Sequence, residues 1–547
     1  MPSKTRTAYD YVIVGAGSAG CTLAARLSED AEVSVLLLEA GGWDNDPLNQ
    51  IPILWARNAF RRRHDWDYSC EPEKLLSGQS LPMFRGKIVG GSSSINAMTY
   101  VRGHRADYDR WAGYGLPDWS YSRVLPYFKK QETWEGGADD YRGGDGPLTT
   151  TTSQYDDPLG EAILAAGNAA GHPSTPDYNG AQQEGFARSQ LTVSGGRRCS
   201  VAKGYLRPAQ TRDNLHTEVR AHTAKVIVEH GRATGVIYRQ NGKLVIVHAN
   251  REVILCGGSI NSPQLLMLSG IGDPDELRRN SIDVAVPLLG VGRNLREHIT
   301  ADVGYVRAEP GPLHRTMRAD RTMLALANAH FFGKGIFTSV PNHIMAFLKA
   351  GPNSTIPDLQ LQFRMGPSAA SPYFQPFSQP YTDGFGCRPV VLRAESIGHV
   401  GLRSADPFEA PRIDLNLYDA ERDRRTLRAG IRLSRDILRQ KPLERFAKTE
   451  VVPGLDCNSD SEMDAYVRKN AMAFIHPLGT CKMGAANDET AVVNSELRVF
   501  GIEQLRVVDA SVMPDHIGAN LNAPVVMMAE KAADMIRKRP PAAALNV

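Results

Sequence analysis

Short unbroken apolar runs stand near both ends of this chain, and alternating or helical patterns fill much of the rest. Tyr11 to Val14 is a continuous apolar run closed by Gly15-x-Gly17-x-x-Gly20. A helical pattern follows from Thr22 to Leu27, with Ala24, Ala25 and Leu27 on one side, and a second apolar run, Val33 to Leu38, ends in Glu39. Apolar runs of this length bounded by glycine predict buried strands, and the order strand–turn–helix–strand predicts a parallel sheet. Alternation predicts further strands at Val226–Val228, Gly235–Tyr238 and Leu244–Val247. Glu252 to Gly258 repeats the strand-then-glycine theme, with a helix starting at Ser262-Pro263 and stopped by Ser269-Gly270. Helical patterns also cover 158–170, 419–448 and Val525–Ile536, and Leu505–Val508 reads as one more buried strand. Residues 43–84 and 131–157 are irregular, and the Pro- and Ala-rich tail from Arg537 is expected to be disordered. The fold class is α/β, α+β overall.

The first glycine turn carries a chemical meaning in this context. Gly15 permits the turn, Gly17 lets the backbone approach a pyrophosphate, and Gly20 lets helix and strand pack closely. Free N–H groups at the helix start favour negative charge. Glu39 can accept hydrogen bonds from ribose hydroxyls and would repel a 2′-phosphate, so the expected dinucleotide is FAD or NAD and not NADP.

Composition narrows the class without naming it. With 547 residues the chain is long enough for two intertwined domains. A net charge of +3 favours no particular partner, and Arg61-Arg62-Arg63-His64 reads as a solvated loop, with no nucleic acid implied. The polar start has no apolar signal-peptide core, and no run is long enough to span a bilayer. Seven scattered cysteines without a CxxC pair fit free thiols and a cytoplasmic location, and support no metal site.

Three further stretches carry candidate chemistry. Gly86 to Tyr100 sets two glycines and three serines inside apolar runs, which suits a pyrophosphate or a flavin ring edge. Residues 330–385 are rich in Phe and Tyr; most should be sheet core, and some should line a substrate pocket. Phe474 to Gly484 places His476 beside Pro477 and Gly479, a position open to either a structural or an acid–base role.

Together these motifs resemble the glucose–methanol–choline (GMC) oxidoreductases, a family of FAD enzymes, over nearly the whole chain. Gly86 to Asp109 is similar to the family's first signature and Gly258 to Gly272 to its second; Gly290–Leu295 and Asp509–Pro514 resemble further blocks. The resemblance implies a Rossmann-like FAD domain (1–155, 195–300 and 455–547) and a substrate domain on an antiparallel sheet (156–194 and 301–454). It places Gly15, Gly17, Ser18, Gly20, Glu39, Val89, Ser92, Asn96, Ala97, Met98, Thr99, Thr223, Asp509, Ala510, Asn520 and Asn522 against FAD. It makes His476 and Asn522 the catalytic pair, Asn522 being taken over Asn520 from its distance to the following helix. Ile95 stands where some members attach FAD through histidine, so the flavin is expected to be non-covalent. Ala519 stands where a glycine is usual and would set a methyl group beside the flavin.

The activity implied is oxidation of an alcohol to an aldehyde or ketone. His476 would take the hydroxyl proton, Asn522 would stabilise the developing charge, and the carbon would pass a hydride to flavin N5. The aromatic content suggests a primary, apolar or aryl alcohol. A polyol, a pyridoxine-like alcohol and choline stay open, though no acidic cage for choline is evident. Oxygen or a quinone or dye-like carrier would take the electrons. A hydroxynitrile lyase that keeps FAD without turning it over is the rival from another class.

Overall fold

The computed structural model describes residues 7–367 and 370–547. The first strand, Ala8–Val14, lies between Val35–Glu39 and the 13-residue strand Lys243–Leu255, parallel to both. Leu215–Val219 adds parallel to the outside of Val35–Glu39, and Leu505–Val507 adds parallel to the far side of Lys243–Leu255. Ala8–Val14, Val35–Glu39, Leu505–Val507 and the Val253–Leu255 end of the long strand are buried because helices cover the sheet, which is why they read as continuous apolar runs, whereas Leu215–Val219 at the sheet edge is fully buried only at Leu215. The two strands expected at Leu244–Val247 and Glu252–Leu255 are one. Its second half pairs parallel in the core, while its first half pairs antiparallel with Arg232–Gln240, which pairs in turn with His222–Glu229. The sheet therefore has seven strands of mixed direction.

Two helices fix the turn after the first strand. Ser18–Leu27 packs against Asn522–Ile536, so the last helix of the chain closes over the first. Their seam is tied by Glu530, whose fully buried carboxylate accepts from Arg26 Nε and Nη2 at 2.9 and 2.7 Å and from Tyr205 Oη at 2.8 Å, with Lys130 Nζ at 3.1 Å. The tail, expected to be disordered, is docked beside this seam: Ala542 N–H donates to Tyr127 Oη and Leu545 N–H to the Ser122 carbonyl. Backbone groups that find partners on a neighbouring helix offset the ordering entropy that composition alone would have left unmet.

The helix after Leu255 starts earlier than Ser262-Pro263, at Gly258, and runs to Leu268 with Pro263 inside it. Proline leaves the Ser259 carbonyl without its helical donor. Thr480 Oγ1 supplies one at 2.7 Å, and Ser259 Oγ donates to the Pro477 carbonyl at 2.7 Å. The segment that carries His476 is thus clasped to this helix at Pro477 and Thr480.

A second sheet has eight strands, built on the antiparallel order Ala447–Val452, Val303–Arg307, Gly384–Val391, Leu359–Arg364, Ile344–Leu348 and Gly185–Arg188. Ile299–Thr300 joins it through Val390 and pairs with Met472–Ala473, which leads into His476. The amphipathic helix is Glu421–Leu438, shorter than the 419–448 pattern, because Lys441–Leu443 turns and Ala447–Val452 enters the sheet. Gly430 lets this helix approach closely: a Cβ there would fall 2.8 Å from Pro389 Cβ.

Period-two alternation then decides which side chains face which way. Phe363 and Phe385 join the core beneath the helix, whereas Gln362 and Arg388, paired across neighbouring strands, line the cavity on the other face. Replacing Glu530 with alanine removes the buried carboxylate shared by Arg26, Tyr205 and Lys130, leaving Arg26 only the partly exposed Glu29, and should cost about 3 kcal/mol of stability in denaturant unfolding.

Candidate active site

One long cavity runs from the first glycine turn to His476. At its first end Gly15, at φ 99°, donates its N–H to the Leu38 carbonyl at 2.8 Å, and a Cβ on Gly15 would fall 2.6 Å from the Cys256 carbonyl oxygen. The Gly86–Ser94 loop folds onto the same turn. Gly90 N–H donates to the Ala16 carbonyl at 2.7 Å, and a Cβ on Gly91 (φ 53°) would lie 2.7 Å from Gly17 Cα. Backbone meets backbone here with no side chain between, which leaves a ledge of N–H groups for a pyrophosphate.

Glu39 is buried at the ledge's edge. Its Oε2 accepts from Ala16 N–H at 2.9 Å and its Oε1 from Gly41 N–H at 2.8 Å. Burial pushes this carboxyl up to about 7 against those two bonds. Each oxygen keeps a second lone pair for a ribose hydroxyl. Gly41 makes its own close approach to the Lys87 carbonyl, where a Cβ would lie 2.0 Å away.

Most residues expected at the cofactor line this cavity: Gly15, Gly17, Ser18, Glu39, Ser92, Asn96, Ala97, Met98, Thr99, Thr223, Asp509, Ala510, Asn520 and Asn522. Two do not. Gly20 sits behind the turn, where a Cβ would collide with the Gly15 carbonyl at 1.9 Å, and Val89 is core, its N–H on the Gly42 carbonyl. The Asn96–Thr99 strip is held from behind by Arg198. Its buried guanidinium donates to the Asn96 carbonyl at 2.7 Å and to Asn96 Oδ1 at 2.9 Å, and Met98 stands at φ 62°. Thr223 Oγ1 is buried at the wall with no protein partner. An orphaned hydroxyl, a backbone ledge and a ribose-height carboxyl together fit a dinucleotide.

At the other end His476 meets Asn520 and not Asn522. Asn520 Nδ2 lies 3.2 Å from His476 Nε2, and Gln360 Nε2 reaches Asn520 Oδ1 at 3.5 Å. Asn522 Oδ1 accepts from Ser18 Oγ at 2.7 Å, over the glycine turn. The helix begins at Asn522. That start turns its side chain onto the first helix, while Asn520 belongs to the loop before it and faces the histidine. Ala519 is fully buried with its methyl group towards Gly103, 3.6 Å from where a Cβ there would stand, and is not part of the cavity wall.

Behind His476 stands a buried assembly that sequence reading missed. His298 Nδ1 lies 3.2 Å from His476 Nδ1, and His298 Nε2 lies 3.1 Å from the Leu392 carbonyl. His516 stacks on His298, ring centres 4.6 Å apart. Glu297 Oε1 accepts the backbone N–H of both His476 and His298 at 2.8 Å, and burial pushes its carboxyl up to about 7, opposed by the His476 N–H and by Arg85. Arg85 in turn binds the carbonyl of Ile475, a β-branched residue held at φ 69°. That strained conformation aims the next residue, His476, into the cavity. Glu297-His298 directly follows the Gly290–Leu295 block, and an acid–histidine pair at the head of an apolar strand was the available signal.

The protons in this assembly are ordered by chemistry. Burial holds His298 at about 4 and His476 well below the ordinary imidazole value, so both rings are neutral at neutral pH. The Leu392 carbonyl can only accept, so His298 carries its proton on Nε2 and offers a lone pair at Nδ1. His476 must then be protonated at Nδ1, which leaves Nε2 as a bare acceptor beside the Asn520 amide.

The expected pocket aromatics are elsewhere. Phe337, Phe363 and Phe385 are core, Phe347 packs on Tyr178, and Phe331, Phe332, Phe374 and Phe377 are exposed. The cavity wall takes its aromatic rings from Trp55, Trp66, Phe84 and Phe474.

The GMC oxidoreductase pattern matches residues 9–300 in its N-terminal part and 394–529 in its C-terminal part. Mitochondrial choline dehydrogenase of Mus musculus is 42% identical over 547 residues, covering 99% of this chain and 91% of its own. The oxygen-dependent choline dehydrogenase of Sinorhizobium fredii is 42% identical over 543 residues, covering 98% of this chain and 97% of its own. Among solved structures, pyridoxine 4-oxidase from Mesorbium loti superposes with a TM-score of 0.87 at 29% identity, covering 97% of this chain and 100% of that one. The chain belongs to the GMC oxidoreductase family, FAD-binding enzymes that oxidise CH–OH groups. Since the flavin ledge depends on Gly91 touching Gly17, Gly91→Ala should yield folded protein that purifies without yellow colour, read from the ratio of flavin to protein absorbance.

Proposed function

We propose that this enzyme oxidises a primary alcohol with His476 as general base and Asn520 as the group that steadies the alcohol oxygen. The observation that carries the reading is the ordered chain from the Leu392 carbonyl through His298 to His476, which ends on an unprotonated Nε2 facing the cavity. Bound FAD supplies the hydride acceptor for this chemistry. A hydroxyl placed between Nε2 and the Asn520 amide would give up its proton to one and accept a hydrogen bond from the other. The removed proton makes an imidazolium in a site that disfavours charge, with the His298 Nδ1 lone pair, 3.2 Å from its own Nδ1, as the acceptor behind it. Glu297, held on the backbone of both histidines, fixes where that ring stands.

The same reading extends to domain division, flavin linkage and location. The two sheets support the division into an FAD domain and a substrate domain. Ile95 on the cavity wall offers no nucleophile, which supports a flavin held without a covalent bond. All seven cysteines are free, which supports a cytoplasmic location. The dehydrogenase and oxidase names of the relatives support alcohol oxidation over a hydroxynitrile lyase.

For the substrate, Trp55, Phe84 and Phe474 support an apolar or aryl body, and Gln362 and Arg388 give the cavity a polar, cationic stretch. Arg388 and Arg364 share one carboxylate, Asp302, at 2.9 Å each, which leaves that cluster net positive. Choline is the second reading, supported by the names of relatives at 42% identity; its fixed positive charge would meet Arg388, whose carboxylate partner Asp302 is already shared with Arg364.

Anaerobic bleaching of the flavin band tests these assignments. His476→Ala should slow flavin reduction by about 10²–10⁴-fold. Asn520→Ala should slow it by about 10²-fold. Because burial depresses the His476 pKa, the base stays competent as pH falls, and the acid limb of flavin reduction should lie below the ordinary imidazole value of 6.5. In a matched series, 4-(hydroxymethyl)benzoate and benzyl alcohol should bleach the flavin faster than choline. Faster bleaching by choline would replace the aryl reading with the second one, and admitting air then reports whether oxygen takes the electrons.

A further inference from the structure

Outside the cavity wall, the chain exposes apolar side chains that no part of the fold covers. Met323, Leu324, Phe331, Phe332 and Phe377 are 73, 72, 70, 72 and 85% exposed, the five highest values among the large apolar side chains of the described residues. They come from two segments that lie together. Arg318 bridges to Tyr373, Ala319 N–H donates to the Tyr373 carbonyl at 2.8 Å, and Tyr373 N–H donates to the Met317 carbonyl at 3.0 Å. Beyond that junction Phe374 and Phe377 stack with centres 5.8 Å apart. The helix Ala319–Ala327 fully buries only Thr322, so its outward side serves no core. Large apolar side chains left exposed on neighbouring segments mark an interaction site.

Charge selects the partner. Around these rings stand Arg315, Arg318, Arg321 and Lys334, all exposed, and Arg197 joins them from a hairpin whose Nη2 donates to the His330 carbonyl. Across 315–334 and 370–382 the acid is Asp320, already paired with Arg318. Phenyl rings and aliphatic side chains ringed by arginine and lysine suit the boundary between acyl chains and anionic headgroups. No helix among the described residues is long and apolar enough to cross a bilayer, so such a contact lies on the surface. A protein partner would have to match both features at once, whereas an anionic lipid surface supplies them together.

We propose that the face formed by Ala319–Phe332 and Tyr373–Phe377 docks on an anionic lipid bilayer, its phenyl rings at acyl-chain depth and its arginines and Lys334 on the lipid phosphates. The proposal does not depend on the assigned reaction. The test is co-sedimentation of the full-length, flavin-loaded protein with vesicles of phosphatidylcholine alone or mixed with phosphatidylglycerol. The mixed vesicles should bring the protein down, high salt should release much of it, and plain phosphatidylcholine should hold less. The triple variant Phe331→Ser, Phe332→Ser, Phe377→Ser should bind about tenfold more weakly or worse, since each ring contributes apolar area to the contact. A separate variant, Phe377→Trp, keeps the surface intact and should shift its emission to the blue on mixed vesicles. Protein that stays in solution with every vesicle, or sediments equally well as the triple variant, overturns the proposal. So does light scattering that finds a dimer which the triple variant dissolves, with no vesicle binding, because the face would then belong to a second copy.

Discussion

Backbone contact between Gly17 and Gly91 is the constraint on which the rest of the architecture depends. A methyl group on Gly91 would fall 2.7 Å from Gly17 Cα and push the Gly86–Ser94 loop away from the first turn, and the ledge of N–H groups between them would open. Four distant parts of the chain converge there. The first strand and helix supply the turn, the Gly86–Ser94 loop covers it, Cys256 backs it with its carbonyl oxygen, and Asn522 reaches it through Ser18. Glu530 holds the first and last helices together so that this convergence persists. A sheet assembled from distant parts of the chain is the natural outcome, because pieces separated by hundreds of residues must meet at one phosphate-sized point.

The far end of the cavity is governed by desolvation. Three histidines, Glu297 and Arg85 are packed where charge is costly, and burial drives each of them towards its neutral form. A neutral ring has one donor and one acceptor nitrogen, so the Leu392 carbonyl at the end of the row sets the protons of His298 and His476. A solvated histidine would lack this order, since water can donate or accept at either nitrogen. The strained Ile475 backbone, tethered by Arg85, completes the positioning by geometry.

Much of the first end was legible in the residues. The glycine turn, Glu39, the Gly86–Tyr100 stretch and the buried strands around them are local patterns whose physical demands are met within a few residues. The place of His476 beside Pro477 and Gly479 left its role open, and only the resemblance to the GMC oxidoreductases singled it out. Local spacing was not enough for its partner: Asn520 and Asn522 differ by two residues, and where the helix starts determines which one turns towards the ring. His298, Glu297 and Arg85 come from three separate segments, and no spacing relates them to His476.

The chain by itself determined the α/β class, the glycine-lined dinucleotide cradle and the strands that flank it, because close backbone approach and burial leave a mark on neighbouring residues. Tertiary structure alone decided which asparagine meets His476, which ring nitrogen is left bare, which face of the second sheet lines the cavity and which aromatics reach solvent. Each of those depends on a cross-strand register, a helix start or a contact between remote segments. Such quantities are fixed by the free energy of the packed whole and have no local pattern to announce them.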